Sequence, residues 1–159
     1  MKKIHLCILY LLFVNVIFAQ DNDCSGFFSD DTCLRYTASG CQKIINGNYS
    51  KARNESQKMA NITAESELSK MINTAVTRVV EQMSEENDYY SDMYSDTTLI
   101  STYKIFKGMR TICQSESKQV DGSYVTYITK EISLDNISDM FYFENEHDKQ
   151  KFRELLEKE

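Results

Sequence analysis

Residues 50–86 read SKARNESQKMANITAESELSKMINTAVTRVVEQMSEE. Apolar side chains recur here in steps of three and four, at Ile62, Leu68, Ile72, Ala75, Val79 and Met83. Met59, Met71, Val76 and Val80 widen the stripe. That spacing follows the 3.6-residue period of an α-helix and gathers these side chains on one face. Lys58, Glu65, Lys70, Arg78, Glu85 and Glu86 fall on the other face, and neither Gly nor Pro interrupts the run. Ser50 is the expected N-cap. The position three residues on is Arg53, not the Glu or Gln of a capping box. A helix this long with a single apolar stripe has to bury that stripe, so the fold depends on what covers it.

Downstream the period shortens to two. Residues 98–106 read as a strand, with Leu99, Tyr103 and Ile105 on one face and Ile100 and Phe106 on the other. Residues 109–115 continue extended past a kink at Gly108, with Met109, Thr111 and Cys113 opposed to Arg110, Ile112 and Gln114. Asp121 and Gly122 signal a hairpin turn. Beyond it Tyr124, Thr126, Ile128, Lys130 and Ile132 alternate with Val125, Tyr127, Thr129 and Glu131. Lys130 and Glu131 are expected at a solvated end of this hairpin. Upstream, Leu34, Tyr36 and Ala38 alternate with Arg35, Thr37 and Ser39 as a first strand that Gly40 breaks or bulges. Residues 144–159 form a charged C-terminal helix whose apolar face is only Phe152, Leu155 and Leu156, so light surface docking is expected.

The resulting fold class is α+β: one long helix on a small antiparallel sheet, in β-α-β-β order, with a short C-terminal helix. The organisation reads as a signal peptide (1–19), an irregular disulfide-held arm (20–33), an α+β domain (34–143) and the charged helix (144–159).

The N-terminus carries the clearest functional signal. Lys2 and Lys3 precede an apolar run over residues 4–18, broken only by His5 and Asn15. Ala19 then supplies a small residue, and Gln20 and Asp21 are polar. This is the pattern of a secretory signal peptide cleaved between Ala19 and Gln20. The run is shorter than the ~20 residues of a spanning helix, so the mature chain is expected not to span a membrane. No small-residue box precedes Cys7 or Cys24, which argues against a lipid anchor. The chain is therefore expected to be exported, whether to a periplasm, a cell envelope or the extracellular space.

Cleavage leaves Cys24, Cys33, Cys41 and Cys113. An even count in an exported chain reads as disulfides, with three pairings open. A local Cys24–Cys33 loop would leave Cys41 and Cys113 as a long-range staple, and the layout puts these two side by side in the sheet layer.

Chemistry is sparse. The mature chain has one histidine, His147, in a run of charged residues, and no C-x-x-C pair. Neither arrangement has the spacing of a metal site. No nucleophile elbow, zinc-protease motif or phosphate-cradling glycine loop occurs. Asp88, Asp92 and Asp96 recur every four residues without the glycine and final Glu of a calcium loop. Tyr89, Tyr90 and Tyr94 beside them read as edges of the core. No catalytic, metal or cofactor residue is assigned, and a non-enzymatic role is expected. A net charge of −6 without a basic patch excludes a nucleic-acid partner. Sequons at Asn48, Asn54, Asn61 and Asn136 are read as chance in a chain rich in Asn and Ser.

One family likeness is visible. Ala52, Ala60, Ala64, Leu68, Ile72 and Val76 on the helix, with Asp121, Gly122, Ser123, Tyr124, Val125, Thr126 and Tyr127 at the hairpin, resemble LPP-twenty-like bacterial envelope lipoproteins. The likeness covers roughly residues 38–134. It implies an envelope or surface protein and supplies no catalytic residue. The chain departs from the family in lacking a lipobox and in its added cysteines. The leading expectation is a non-catalytic exported protein that acts through an unknown protein partner or as a homo-oligomer. The alternative is a secreted ligand-binding or inhibitor module with a cystatin-like helix-on-sheet fold.

Overall fold

A computed structural model describes residues 24–86, 105, 107–143 and 145–159. The expected signal peptide with its cleavage point at Ala19 and Gln20, the expected acidic loop with Asp88, Asp92 and Asp96, and Tyr89, Tyr90, Tyr94 and Tyr103 all lie outside the described residues. So does most of the strand expected over 98–106; Ile105, Lys107 and Gly108, which are described, are helical.

The elements run β1 (Cys33–Lys43), α1 (Tyr49–Glu86), β2 (Arg110–Gln114), β3 (Lys118–Val120), β4 (Ser123–Ser133), α2 (Leu134–Ser138) and α3 (Glu146–Leu156). All strand pairs are antiparallel. β4 is central, with β1 on one side and β2 then β3 on the other. The fold is the α+β arrangement read from the sequence. The hairpin closes at Asp121 and Gly122, both with positive φ (47° and 73°), as a two-residue turn between twisted strands requires.

The helix stripe differs from the expected one in its first half. The buried positions are Ala52, Ser56, Ala60, Ala64, Leu68, Ser69, Ile72, Ala75, Val76, Val79, Val80 and Met83, while Met59 and Ile62 are exposed. The small residues come first because α1 approaches the sheet closely there. Gly40 does not break β1, which pairs with β4 without interruption from Cys33 to Lys43. Its role is steric: a Cβ on Gly40 would lie 2.0 Å from the Ser56 carbonyl oxygen and 2.5 Å from the Ala60 nitrogen. At this end Ala38, Ala60, Ala64 and Ile128 form a small core cluster. Towards the other end the gap widens. Leu68, Ile72, Val76, Val79, Val80 and Met83 fill it together with Ile132, Leu134, Ile137, Phe152 and Leu156. The N-cap of α1 is Asn48, whose side-chain oxygen accepts from the Lys51 amide (3.1 Å), in place of Ser50.

Two further expectations are corrected. α3 is not lightly docked: Phe152 is fully buried and lies 5.0 and 5.2 Å, ring to ring, from Phe141 and Phe143. Lys130 and Glu131 do not mark a solvated end, since both are buried. Lys130 points at the helix and meets Glu65 at 2.9 Å. Beside it a hydroxyl chain crosses the interface: Ser56 Oγ donates to the Arg53 carbonyl (2.8 Å), and Thr126 Oγ1 stands 2.9 Å from Ser56 and 2.7 Å from Ser117. Burying these hydroxyls is tolerated because each has a partner.

Candidate functional site

Side chains of a strand alternate between faces. The even-numbered residues of β1 and β4 meet α1, so the odd-numbered ones line the outer face of the sheet. That outer face concentrates the polar and sulfur chemistry of the described residues. Glu131 on β4 stands between Arg35 on β1 and Arg110 on β2, its partners in register on the two neighbouring strands. One carboxylate oxygen accepts from Arg35 Nε, the other from Arg110 Nε (2.8 Å) and Nη2. Next along, Thr37 Oγ1 and Thr129 Oγ1 lie 2.7 Å apart.

A bulge in β2 makes this arrangement possible. Thr111 pairs with Lys130 and Cys113 with Thr129, so Ile112 is an extra residue in the ladder. Without it Arg110 and Cys113, three apart, would face opposite ways, as regular alternation predicted. With it both face outward, and Cys113 bonds Cys24 (Cα–Cα 5.9 Å).

The disulfides expected from spacing are therefore corrected. Cys24 pairs with Cys113, and Cys33 and Cys41 are free thiols, Cys33 buried and Cys41 exposed. The register explains why. Cys41 stands opposite Val125 and Cys113 opposite Thr129, on strands that flank β4 from either side. Four residues along β4 and two strand spacings put them roughly 16 Å apart, beyond the ~7 Å limit for a disulfide. Cys33 stands opposite Ser133, four residues beyond Thr129. This is about 13 Å along the sheet from the clasp. The Cys24–Cys113 bond closes a separation of 89 residues, for which the chain-entropy model gives about 4–5 kcal/mol.

The clasp pins the arm over the outer face and onto the edge of β1. Asp30 Oδ1 accepts from the Thr32 amide (2.9 Å), the Thr32 hydroxyl (2.6 Å) and the Cys33 amide (2.9 Å), and Asp30 Oδ2 accepts from Arg35 Nη1. The hydroxyl and amide of Thr32 and the Arg35 guanidinium hold the Asp30 carboxyl far below the usual carboxylate range. Burial pushes the Glu131 carboxyl up, but hydrogen bonds from Arg110 and Arg35 outweigh it and leave the pKa below 4.5.

Both carboxylates have depressed pKa values in the folded state. Their contribution is present above the unfolded values and is lost as pH falls through the folded ones. Glu131→Gln is thus expected to cost about 1–3 kcal/mol at pH 7, because Arg35 loses the more buried of its two carboxylate partners and keeps only Asp30, while Arg110 is largely exposed. Urea midpoints measured from pH 7 down to pH 3 should fall more steeply below about 4.5 for the wild type than for the variant. Parallel acid limbs would show that this carboxylate does not carry the pH dependence.

The same arm covers part of the β1 edge. Ser29 Oγ accepts from the Arg35 amide (2.9 Å) and donates to the Arg35 carbonyl (3.3 Å), and the Asp30 amide donates to the Cys33 carbonyl (3.0 Å). These bonds show that odd-numbered residues of β1 turn their backbone groups away from β4. Beyond Arg35 no described residue of the arm bonds the β1 backbone through its own backbone. The outward N–H and C=O groups of Thr37, Ser39 and Cys41 meet no other strand among the described residues. Exposed apolar side chains lie nearby: Phe28 on the arm (74% exposed) and Met59 and Ile62 on α1 (44% and 54%).

Two shallow cavities flank α1 on its β1 side. One, of about 330 Å³, brings Gln42 and Lys43 to Lys51, Ala52 and Glu55. The other, of about 310 Å³, brings Leu34 to Glu67, Lys70 and Met71. Neither gathers a nucleophile with a base. His147 is exposed on α3. Among the described residues no group of three or more His, Cys, Asp and Glu converges as a metal site would, and no helix is long and apolar enough to cross a membrane. Asn54 and Asn136 are exposed, Asn48 caps α1, and Asn61 donates to Glu65 (2.9 Å). Comparison of the chain with protein families, curated proteins and solved structures found no match.

The Arg35–Glu131–Arg110 ladder went unread in the sequence. Its only signal there is charge inside strand-like runs, and pairing the three requires the register and the bulge.

Proposed function

We propose that this is an exported, non-catalytic protein of a periplasm, envelope or cell exterior that works through protein contacts, including contacts between its own copies. The observation that carries the reading is the edge of β1 at Thr37, Ser39 and Cys41, which no strand covers among the described residues. Such an edge is a template for a further strand, and proteins that do not use theirs usually cover it. The Cys24–Cys113 bond is consistent with an oxidising compartment, as is the N-terminal pattern ending at Ala19. The likeness to LPP-twenty-like envelope proteins in α1 and the hairpin points the same way. Arg35, Arg110, Glu131 and Asp30 hold one another and the arm, so their role here is structural.

The test is the exported protein itself. Its mass per chain is expected to lack residues 1–19, and peptide mapping is expected to find Cys24 joined to Cys113. Sedimentation velocity is expected to show a species heavier than the monomer that grows with concentration. A chain that keeps its first 19 residues inside the cell would overturn the export reading, and a monomer at every concentration would remove self-association.

A further inference from the structure

Three features of the described residues lie on one side of the molecule. The first is the open backbone of Thr37, Ser39 and Cys41. The second is the thiol of Cys41, which is exposed where Cys33 is buried. The third is the flank of α1 above that edge. Glu65 reaches across to Lys130 on β4, whereas Lys51 and Glu55 line a cavity with Gln42 and Lys43 of β1. Met59 and Ile62 follow Glu55 at steps of four and three, which continues the β1-side flank. Both are large apolar residues that α1 exposes, as is Tyr49 at its start.

We propose that two copies of this chain pair antiparallel along β1, about a two-fold axis at Cys41, into one continuous sheet. This rests on the self-association reading above and names its surface. An edge strand paired antiparallel with itself satisfies a two-fold, so the same residues serve both copies. Charge disfavours one register, and the exposed Cys41 thiol marks the one taken here. An axis at Ser39 would set Arg35 opposite Lys43 of the second copy, two like charges. An axis at Cys41 sets Ser39 opposite Lys43 and places no two like charges across from one another. Because Cys41 turns its N–H and C=O outward, it would form a hydrogen-bonded pair with Cys41 of the second copy. The Cα separation of such a pair is about 5.5 Å, within the range a disulfide spans.

The helices agree with this geometry. α1 lies over β1 and β4, touching Gly40 on one and Thr126 and Lys130 on the other. Adding one strand spacing between the two β1 edges puts the two α1 axes about 10 Å apart, the distance of packed helices. Met59 and Ile62 then face the neighbouring helix and not water. In an oxidising compartment the two Cys41 thiols exchange with a small-molecule disulfide. The first thiolate attacks it and releases one thiol. The second attacks the resulting mixed disulfide and releases the other. The Cys41–Cys41 bond forms, the small disulfide is reduced to two thiols, and each Cys41 proton passes to a released thiolate.

The mature full chain is compared with Ser39→Pro, Cys41→Ser and Met59→Glu by sedimentation in reducing buffer and by non-reducing electrophoresis after treatment with oxidised glutathione. Pro at position 39 removes only an outward N–H, so pairing of β1 with β4 remains intact. Met59→Glu changes an exposed position and serves as the second variant should Ser39→Pro not fold. The expected result is a reduced wild-type dimer, weakened at least tenfold by Ser39→Pro and by Met59→Glu. Oxidation should then yield a covalent wild-type dimer that Cys41→Ser cannot form. A dimer that forms equally well in Ser39→Pro and Met59→Glu would overturn the β1 interface while leaving self-association standing. So would a dimer whose Cys41 ends entirely as a glutathione mixed disulfide. A wild-type chain that stays monomeric sinks both readings.

Discussion

Gly40→Val is expected to lower stability by more than about 4 kcal/mol, enough to unfold most of the protein. The new Cβ would stand 2.0 Å from the Ser56 carbonyl oxygen and 2.5 Å from the Ala60 nitrogen. Both are backbone atoms inside a helix, so no side chain can swing away to make room. The helix would have to lift off β1. Lifting it stretches the Ser56–Thr126 hydrogen bond (2.9 Å) and opens the cluster of Ala38, Ala60, Ala64 and Ile128. Ala38, Ala60 and Ala64 are small because the gap is narrow, so none can grow to refill it. Gly26→Ala is the control, since a Cβ there meets nothing within 4 Å; it is expected to change stability by about 0.5 kcal/mol or less. Urea unfolding of both variants at neutral pH checks the pair. A Gly40→Val protein with the wild-type midpoint would mean that α1 does not rest against this strand.

The second large effect is Leu68→Asp. Leu68 is fully buried where the interface widens from alanines to larger side chains, next to Ile72 and Val76 in the main core cluster. Removing the isobutyl group alone costs about 3–5 kcal/mol at such a site. The carboxylate then adds the cost of an unpaired charge in an apolar setting, several kcal/mol more. Lys130 already holds Glu65 at 2.9 Å, so it is not available to the new group. The sum exceeds what a protein of this size has in reserve. Loss of near-UV circular dichroism and early elution on gel filtration are the expected signs. A variant that keeps both signals and the wild-type melting temperature would show that α1 is not the central element of the core.

Period and punctuation made much of the architecture legible. The 3.6-residue repeat of Leu68, Ile72, Val76, Val79 and Met83 implies a helix whatever it packs against, because only that conformation aligns those side chains. Alternation through Thr126, Ile128, Lys130 and Ile132 does the same for β4, and Asp121 with Gly122 marks the turn. The first half of α1 was harder to read. Ala52, Ser56, Ala60 and Ala64 carry little hydrophobic signal, so Met59 and Ile62 looked like the better core residues. Only the close approach at Gly40 inverts that choice, by admitting small side chains and excluding large ones.

The candidate site was less legible for the same kind of reason. Lys130 and Glu131 look like solvated charges in the sequence. They are buried because each finds an opposite charge from another element: Glu65 from α1 for one, Arg35 and Arg110 from β1 and β2 for the other. The sequence leaves the cysteine pairing open because disulfide geometry depends on register, and the Ile112 bulge shifts β2 by one residue without a mark in the sequence. The sequence by itself determined the α+β composition and the hairpin, since each rests on local periodicity or on neighbouring residues. The tertiary structure decided the Cys24–Cys113 clasp, the Arg35–Glu131–Arg110 ladder and, among the described residues, the open edge with its free Cys41. Each of these depends on which strand lies beside which, and long-range pairing is set by packing and not by any single stretch of chain.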